Sequence, residues 1–245
     1  MKIIKSELFN SIPYISFGMS TKLPAAGSDP FGFNLSYSIC DDEKRVKSNR
    51  ERFFNEIGLT SDQVAYHHQI HGDTIKIIDS AGFIGESDAL VTSQKDLGLA
   101  ITTADCTAIF IFDRSKEVIA GIHSGWRGTN KNILGKTLDL LVQKYNSKSE
   151  NLFVFIAPAI SQKNYEVGGD VATLFEEKYS RKRNDKFLLD VTAINYDILL
   201  DYQIPKEQIE RSTLCSYDST FLHSYRRDGK HSGRALGVIA MKGII

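Results

Sequence analysis

The sequence predicts an α/β protein: a single layered domain spanning residues 1–245, with mixed β-sheets flanked by helices. Three observations carry this expectation. Short runs rich in Val, Ile, Phe and Thr, the mark of buried strands, are interspersed along the chain with longer stretches of helical periodicity. No composition break, linker, low-complexity tract or internal repeat separates one group of elements from another. The 245 residues, 42% apolar and 24% charged, suffice for one sizeable core.

Ile12 to Met19 reads as an early strand. The loop after it, Thr21 to Gly32, carries the turn formers Pro24, Gly27, Asp29-Pro30 and Gly32. Asp41 or Asp42 caps a helix that runs to Ile57, and Gly58 ends it. Arg50 shares the apolar face of Val46, Phe53 and Ile57, so it either meets an anion or carboxylate or snorkels to the rim. After a capping-box-like Thr60–Gln63, the tract from Val64 to Asp73 holds three of the six histidines. Read as extended chain, it puts His67, Gln69 and His71 on one face and His68 on the other. Strands follow over Thr74 to Asp79 and Glu86 to Thr92. Thr107 to Phe112 and Val118 to Ile122 flank a turn at Asp113 to Lys116, the pattern of two buried strands joined by a short connection. Asn130 to Tyr145 is the clearest helix, with Arg127 and Gly128 at its start. Leu152 to Ala157 reads as a strand, and Asp170 caps a helix with Leu174, Phe175 and Tyr179. Arg181 to Asp185 is a solvated polar loop. Asp190 caps a helix carrying Ile194, Ile198 and Leu199; Leu236 to Met241 is the last strand.

Composition narrows the class. Thirty basic residues balance thirty acidic ones, so no global field draws the chain to nucleic acid or an anionic membrane. No stretch has the length and apolarity of a signal peptide or a bilayer span. Cys40, Cys106 and Cys215 are odd in number and lack framework spacing, which suits a reducing compartment; a cytoplasmic enzyme or binding protein is expected, monomer or dimer.

The chemistry concentrates between Gly98 and Thr129. If the two strands there pair antiparallel, Cys106 at the entrance of the first lies beside His123 at the exit of the second. The pair is then half of a metal site or a thiolate–imidazolium pair, the latter with Asp105 as the orienting group. A third ligand from the His67–His71 group would leave a fourth tetrahedral position open, the catalytic arrangement for zinc. Copper fits the same set less well, because the methionines are only Met1, Met19 and Met241. Trp126, Arg127 and the glycines around them run into the Asn130 helix, whose N-terminus can receive an anion. There is no C-x-x-C, no G-x-S-x-G elbow, no Walker loop, no dinucleotide fingerprint and no zinc-deaminase signature.

Several segments together, His67-His68-Gln69-Ile70-His71-Gly72, Ser87-Asp88-Ala89-Leu90-Val91-Thr92, Thr103-Ala104-Asp105-Cys106, His123-Ser124-Gly125-Trp126-Arg127-Gly128 and Tyr225-Arg226-Arg227-Asp228-Gly229, resemble the YfiH-type family, often called laccase-domain or polyphenol oxidase proteins. The likeness covers nearly the whole chain in order and includes Asn34-Leu35-Ser36 and Tyr165-Glu166-Val167-Gly168. Gln162-Lys163-Asn164 stand where that family usually has cysteines. The resemblance implies a layered α/β fold and a zinc-dependent purine nucleoside phosphorylase. Such an enzyme converts adenosine, inosine, guanosine or methylthioadenosine with phosphate to free base and ribose 1-phosphate, and also deaminates adenosine. It implies His71, Cys106 and His123 as zinc ligands. Copper-dependent phenol oxidation and a peptidoglycan-editing role are the alternatives attached to the family. Beside these motifs, Asp105 and Arg127 are candidate catalytic groups. Arg50, Gln69, Asp88 and Asn34 are candidate substrate contacts, with Arg50 and Arg127 for phosphate and Asp88 alternatively orienting a ligand histidine.

Overall fold

The computed structural model describes residues 1–24 and 30–243; Gly27 and Asp29, named above as turn formers, lie outside the described residues. Among the described residues the strands form three sheets. The first runs in the order β1 (Ile3–Ile4), β2 (Ile15–Ser20), β15 (Ala235–Met241), β7 (Gly98–Thr103), β3 (Val64–His68) and β5 (Gly82–Glu86). The second runs β14 (Ile209–Arg211), β10 (Leu152–Ile156), β8 (Thr107–Asp113), β9 (Val118–Ser124), β6 (Ala89–Thr92) and β4 (Ile75–Ile77). Both mix parallel and antiparallel pairs. A small antiparallel sheet joins β11 (Glu166–Val167), β13 (Lys186–Leu189) and β12 (Ser180–Arg183).

Side-chain alternation along the strands builds the layers. Phe110 and Phe112 of β8 pack with Phe17 of β2, Ile101 of β7 and Ile239 of β15 in a core between the two large sheets. The intervening Ile109 and Ile111 point the other way, onto Ile133, Leu134 and Leu138 of α4 (Ile133–Tyr145) and Leu199 of α6 (Val191–Asp201). On the outer face of the first sheet, Ala100 and Val238 meet Phe53 and Phe54 of α2 (Glu43–Glu56). The order helix, sheet, sheet, helix buries both faces of each large sheet, which is why their strands read as continuous apolar runs. Gly237 is set by this packing: a Cβ there would come 2.4 Å from Phe110 Cζ.

Short helices complete the chain: α1 (Glu7–Asn10), α3 (Trp126–Asn130), α5 (Gly169–Ala172) and α7 (Tyr225–Asp228). Three expectations change. The helix expected from Asn130 is two helices, because Asn132 adopts φ +58° and its side chain caps α4 on the Gly135 N–H. The helix expected after Asp170 is one turn, capped by Gly168. The polar loop over Arg181 to Asp185 is instead β12 and the start of a hairpin turned at Asn184, φ +53°; three consecutive charged residues on an exposed edge strand look like loop in sequence. No helix among the described residues is long and apolar enough to cross a membrane.

Burial pushes the imidazoles of His67 and His223 down to about 4. The unfolded chain therefore binds protons between about pH 6.5 and 4 that the folded chain does not. Stability is full above about pH 6.5 and falls as the pH drops towards 4. Denaturant titrations of the chelator-treated protein should show this slope. His223→Gln, which keeps a donor for the Phe33 carbonyl, should flatten it; an unchanged slope counts against the assignment.

Candidate metal centre

The register of the central hairpin places two of the three groups. Thr107 of β8 pairs with Ser124 of β9, and Ala108 with His123. Cys106, one residue before β8, therefore lies beside the exit of β9. His71 comes from the turn after β3, at φ +56°. One ligand atom from each of His71, Cys106 and His123 lies within 4.8 Å of the others. The two imidazoles meet edge to face, ring centroids 4.7 Å apart. Glycines make the room: a Cβ on Gly125 would sit 3.0 Å from Cys106 Sγ, and one on Gly128 would sit 3.0 Å from the Gly72 carbonyl.

Asp88, fully buried before β6, gathers these parts. Its Oδ1 accepts from His123 Nδ1 at 2.8 Å and from the His71 N–H at 3.0 Å. Its Oδ2 accepts from the Gly72 N–H at 2.6 Å and the Ile70 N–H at 3.3 Å. An ionised carboxylate only accepts, so Nδ1 of His123 carries the hydrogen and Nε2 is left as a lone-pair donor. Burial would raise the Asp88 carboxyl, but the His123 and Gly72 hydrogen bonds outweigh it and hold it ionised.

The same balance acts on the sulfur. Burial would raise the Cys106 thiol, yet the charge and hydrogen bond of His123, with those of His71, hold it well below its ordinary value. Burial would lower His123, and Cys106 with Asp88 raise it instead. Both shifts favour a thiolate beside an imidazolium before a metal binds. A divalent cation can replace that imidazolium proton, and the donor set of one thiolate and two imidazoles suits zinc or copper. Among the described residues this is the one group of three or more His, Cys, Asp or Glu whose ligand atoms converge in this way.

A cavity of about 430 Å³ opens on the imidazole side of the group, walled by Tyr66 and His67 of β3, Thr102 and Thr103 of β7, Arg50 of α2, and Arg234. Arg50 points inward, 5% exposed. It therefore does not snorkel to the rim. Its guanidinium lies 4.4 Å from the Tyr66 ring centre and 4.9 Å from that of Tyr37, with one long bond of 3.4 Å to the Leu35 carbonyl.

Other expected contacts take structural posts. Gln69 lines the cavity, but its amide is spent on Thr102: Oε1 accepts from the backbone N–H and the hydroxyl, both at 2.7 Å, and Nε2 donates to the carbonyl at 2.8 Å. Asn34, fully buried, bonds Ser36, Asp41 and the Arg234 N–H. Asp105 does not orient His123; Asp88 does. At φ +91°, Asp105 instead accepts from Ser216 Oγ at 2.6 Å and the Arg226 N–H at 2.7 Å. Arg127 is exposed, its guanidinium 4.3 Å from the Trp126 ring centre, and it does not line the cavity. The α4 N-terminus, expected to receive an anion beside Arg127, starts at Ile133 under its own Asn132 cap. Tyr37, Tyr66, Phe83 and Arg234 were not singled out from sequence.

Comparison with known proteins places this geometry. The profile of a family described as multi-copper polyphenol oxidoreductase laccase matches residues 16–242. A Corynebacterium glutamicum protein named purine nucleoside phosphorylase is 33% identical over 229 residues, covering 90% of this chain and 92% of the relative. One of the same name from Deinococcus radiodurans is 31% identical, covering 93% and 89%. Among solved structures, the hypothetical protein YfiH of Bacillus licheniformis shares the fold, with TM-score 0.90 at 24% identity over 98% of this chain and 96% of that one.

Asp88→Asn removes the acceptor that sets the His123 tautomer. It should weaken divalent metal binding by roughly 10- to 100-fold, measured by competition with a chromogenic chelator. An affinity equal to the parent's would show that the carboxylate does not orient the ligand.

Proposed function

The chain belongs to the family described as multi-copper polyphenol oxidoreductase laccase, and within it we propose that this protein is a zinc-dependent purine nucleoside phosphorylase. Adenosine, inosine, guanosine and methylthioadenosine are its proposed substrates, with adenosine deamination as a second activity. The observation that carries this reading is the convergence of His71, Cys106 and His123, with both imidazoles lining a cavity of about 430 Å³, large enough for a nucleoside and phosphate together. The names of the relatives from Corynebacterium glutamicum and Deinococcus radiodurans support it.

In phosphorolysis a phosphate oxygen bonds to C1′ of the ribose as the bond from C1′ to the purine nitrogen breaks, and the leaving base takes up a proton. His71, Cys106 and His123 would hold the zinc ion, which would supply Lewis acidity and, for deamination, an acidified water. The chain's own residues do the rest. Asp88 keeps Nε2 of His123 directed at the group and shapes the His71 turn. The cavity walls hold the nucleoside out of bulk water, which strengthens every polar contact to it. Phosphate needs a cation; of the two arginines expected for it, Arg50 lines the cavity and Arg127 does not. We read residues 1–245 as one domain acting in the cytoplasm, where the free Cys40, Cys106 and Cys215 stay reduced.

The copper oxidase reading draws on the family description alone. Several copper ions would need several ligand groups, and among the described residues one converges. Met19 and Met241 are buried in the core between the large sheets, so neither serves as a long axial ligand.

Metal analysis of the purified protein, with purine release from adenosine followed with and without phosphate, tests the proposal. Zinc near one equivalent and base release that requires phosphate are expected. Cys106→Ala should lose at least about 100-fold in rate with the loss of the metal. Tightly held copper with oxygen uptake on phenols, and no base release, would sink it.

A further inference from the structure

The cavity beside the metal group has a second polar end. Arg50 is 5% exposed, yet its Nη2 has no hydrogen-bond partner. His67 is 8% exposed; its Nδ1 bonds Ser87 Oγ at 2.6 Å, and its buried Nε2 also has none. Both residues line the cavity, as does Arg234, whose Nη1 is held by the carbonyls of Ser232 and Gly233. Buried polar groups are almost always paired, so two orphaned atoms on residues that line one cavity point to a site completed by a ligand. The partners of Arg50 are the faces of Tyr37 and Tyr66 and the Leu35 carbonyl, none of which carries a full negative charge. A buried guanidinium without a counter-ion, fixed by aromatic faces, is preorganised for an oxyanion.

We propose that Arg50 and His67, with Arg234 beside them, form the oxyanion subsite of this cavity, and that it, rather than Arg127, takes the phosphate co-substrate. This rests on the phosphorylase reading above. With the Ser87 hydroxyl as the donor to Nδ1, the ring hydrogen of His67 is on Nε2, the donor this subsite offers a phosphate oxygen. Burial keeps that imidazole neutral at pH 7, so Arg50 supplies the charge and His67 the direction. His71 and His123 line the same cavity, so the phosphate and the metal group face one substrate.

The test titrates inorganic phosphate calorimetrically into the metal-loaded protein and into folded variants, checked by circular dichroism. Arg50→Met should weaken phosphate binding by about 10- to 100-fold and His67→Phe by about 10-fold. His67→Gln should recover part of the loss by restoring a donor, and it serves if Arg50→Met does not fold. Exposed Arg181→Ala should leave binding unchanged. A larger loss in Arg127→Ala than in either Arg50→Met or His67→Phe overturns the assignment. So does binding indifferent to Arg50 and His67 but lost in Cys106→Ala, which would put phosphate on the metal. Ribose 1-phosphate, titrated in parallel, separates the sources: binding of the ester alone, without the free anion, overturns the co-substrate role. Purine release on the same preparations separates the two readings. Phosphate binding that depends on Arg50 without phosphorolysis keeps the oxyanion subsite and refutes the phosphorylase. Phosphorolysis with binding indifferent to both residues does the reverse.

Discussion

One buried carboxylate organises this molecule's chemistry. Asp88 accepts four hydrogen bonds, three from the backbone of the His71 turn and one from the ring of His123. Its own carbonyl accepts the His123 N–H at 2.8 Å. A carboxylate out of water is tolerable only when it is this fully paired. The pairing brings a turn from the end of a strand in the first sheet against the last residues of a strand in the second. Without it, His71 at positive φ would have nothing to hold it toward the sulfur.

The metal group therefore lies where the two large sheets meet at one end, not within either. The sandwich core beneath it is dry and aromatic, built from Phe17, Phe110, Phe112 and Phe155. The polar groups above it are hydrogen-bonded one to another, Asp105 to Ser216 and Gln69 to Thr102 among them. A rigid floor and a spent inner ring leave few side chains with capacity to spare. Those that retain it, Cys106, the ring nitrogens and Arg50, are the ones with chemistry to offer.

The family description and the names of the relatives point to different reactions, oxidation of phenols and cleavage of nucleosides. The ligand chemistry separates them. Thiolate with two imidazoles suits several metals, but a multi-copper centre asks for several such clusters. A cavity lined by an arginine whose Nη2 has no partner, beside the one such cluster among the described residues, suits a reaction that consumes an anion.

Much of this was readable in the residues themselves. The hairpin about Asp113 follows from two β-branched and aromatic runs and a polar turn, and it brings Cys106 to His123 by antiparallel geometry alone. Asp42 and Asp190 cap their helices where expected, because a side-chain oxygen three residues before an N–H is local information. Spacing left open which of the clustered histidines completes the group, since that depends on the turn at His71. Nor could it show that Gln69 is spent on Thr102 and Asn34 in part on the Arg234 N–H, both distant in sequence, or that Asp88 rather than Asp105 faces His123. The sequence by itself determined which segments form strands and helices and which residue types could carry the chemistry, because those are matters of local periodicity and composition. Only the tertiary structure decided which polar atoms are already satisfied and which are left to a ligand, because pairing in a protein interior is settled between residues that the chain brings together from far apart.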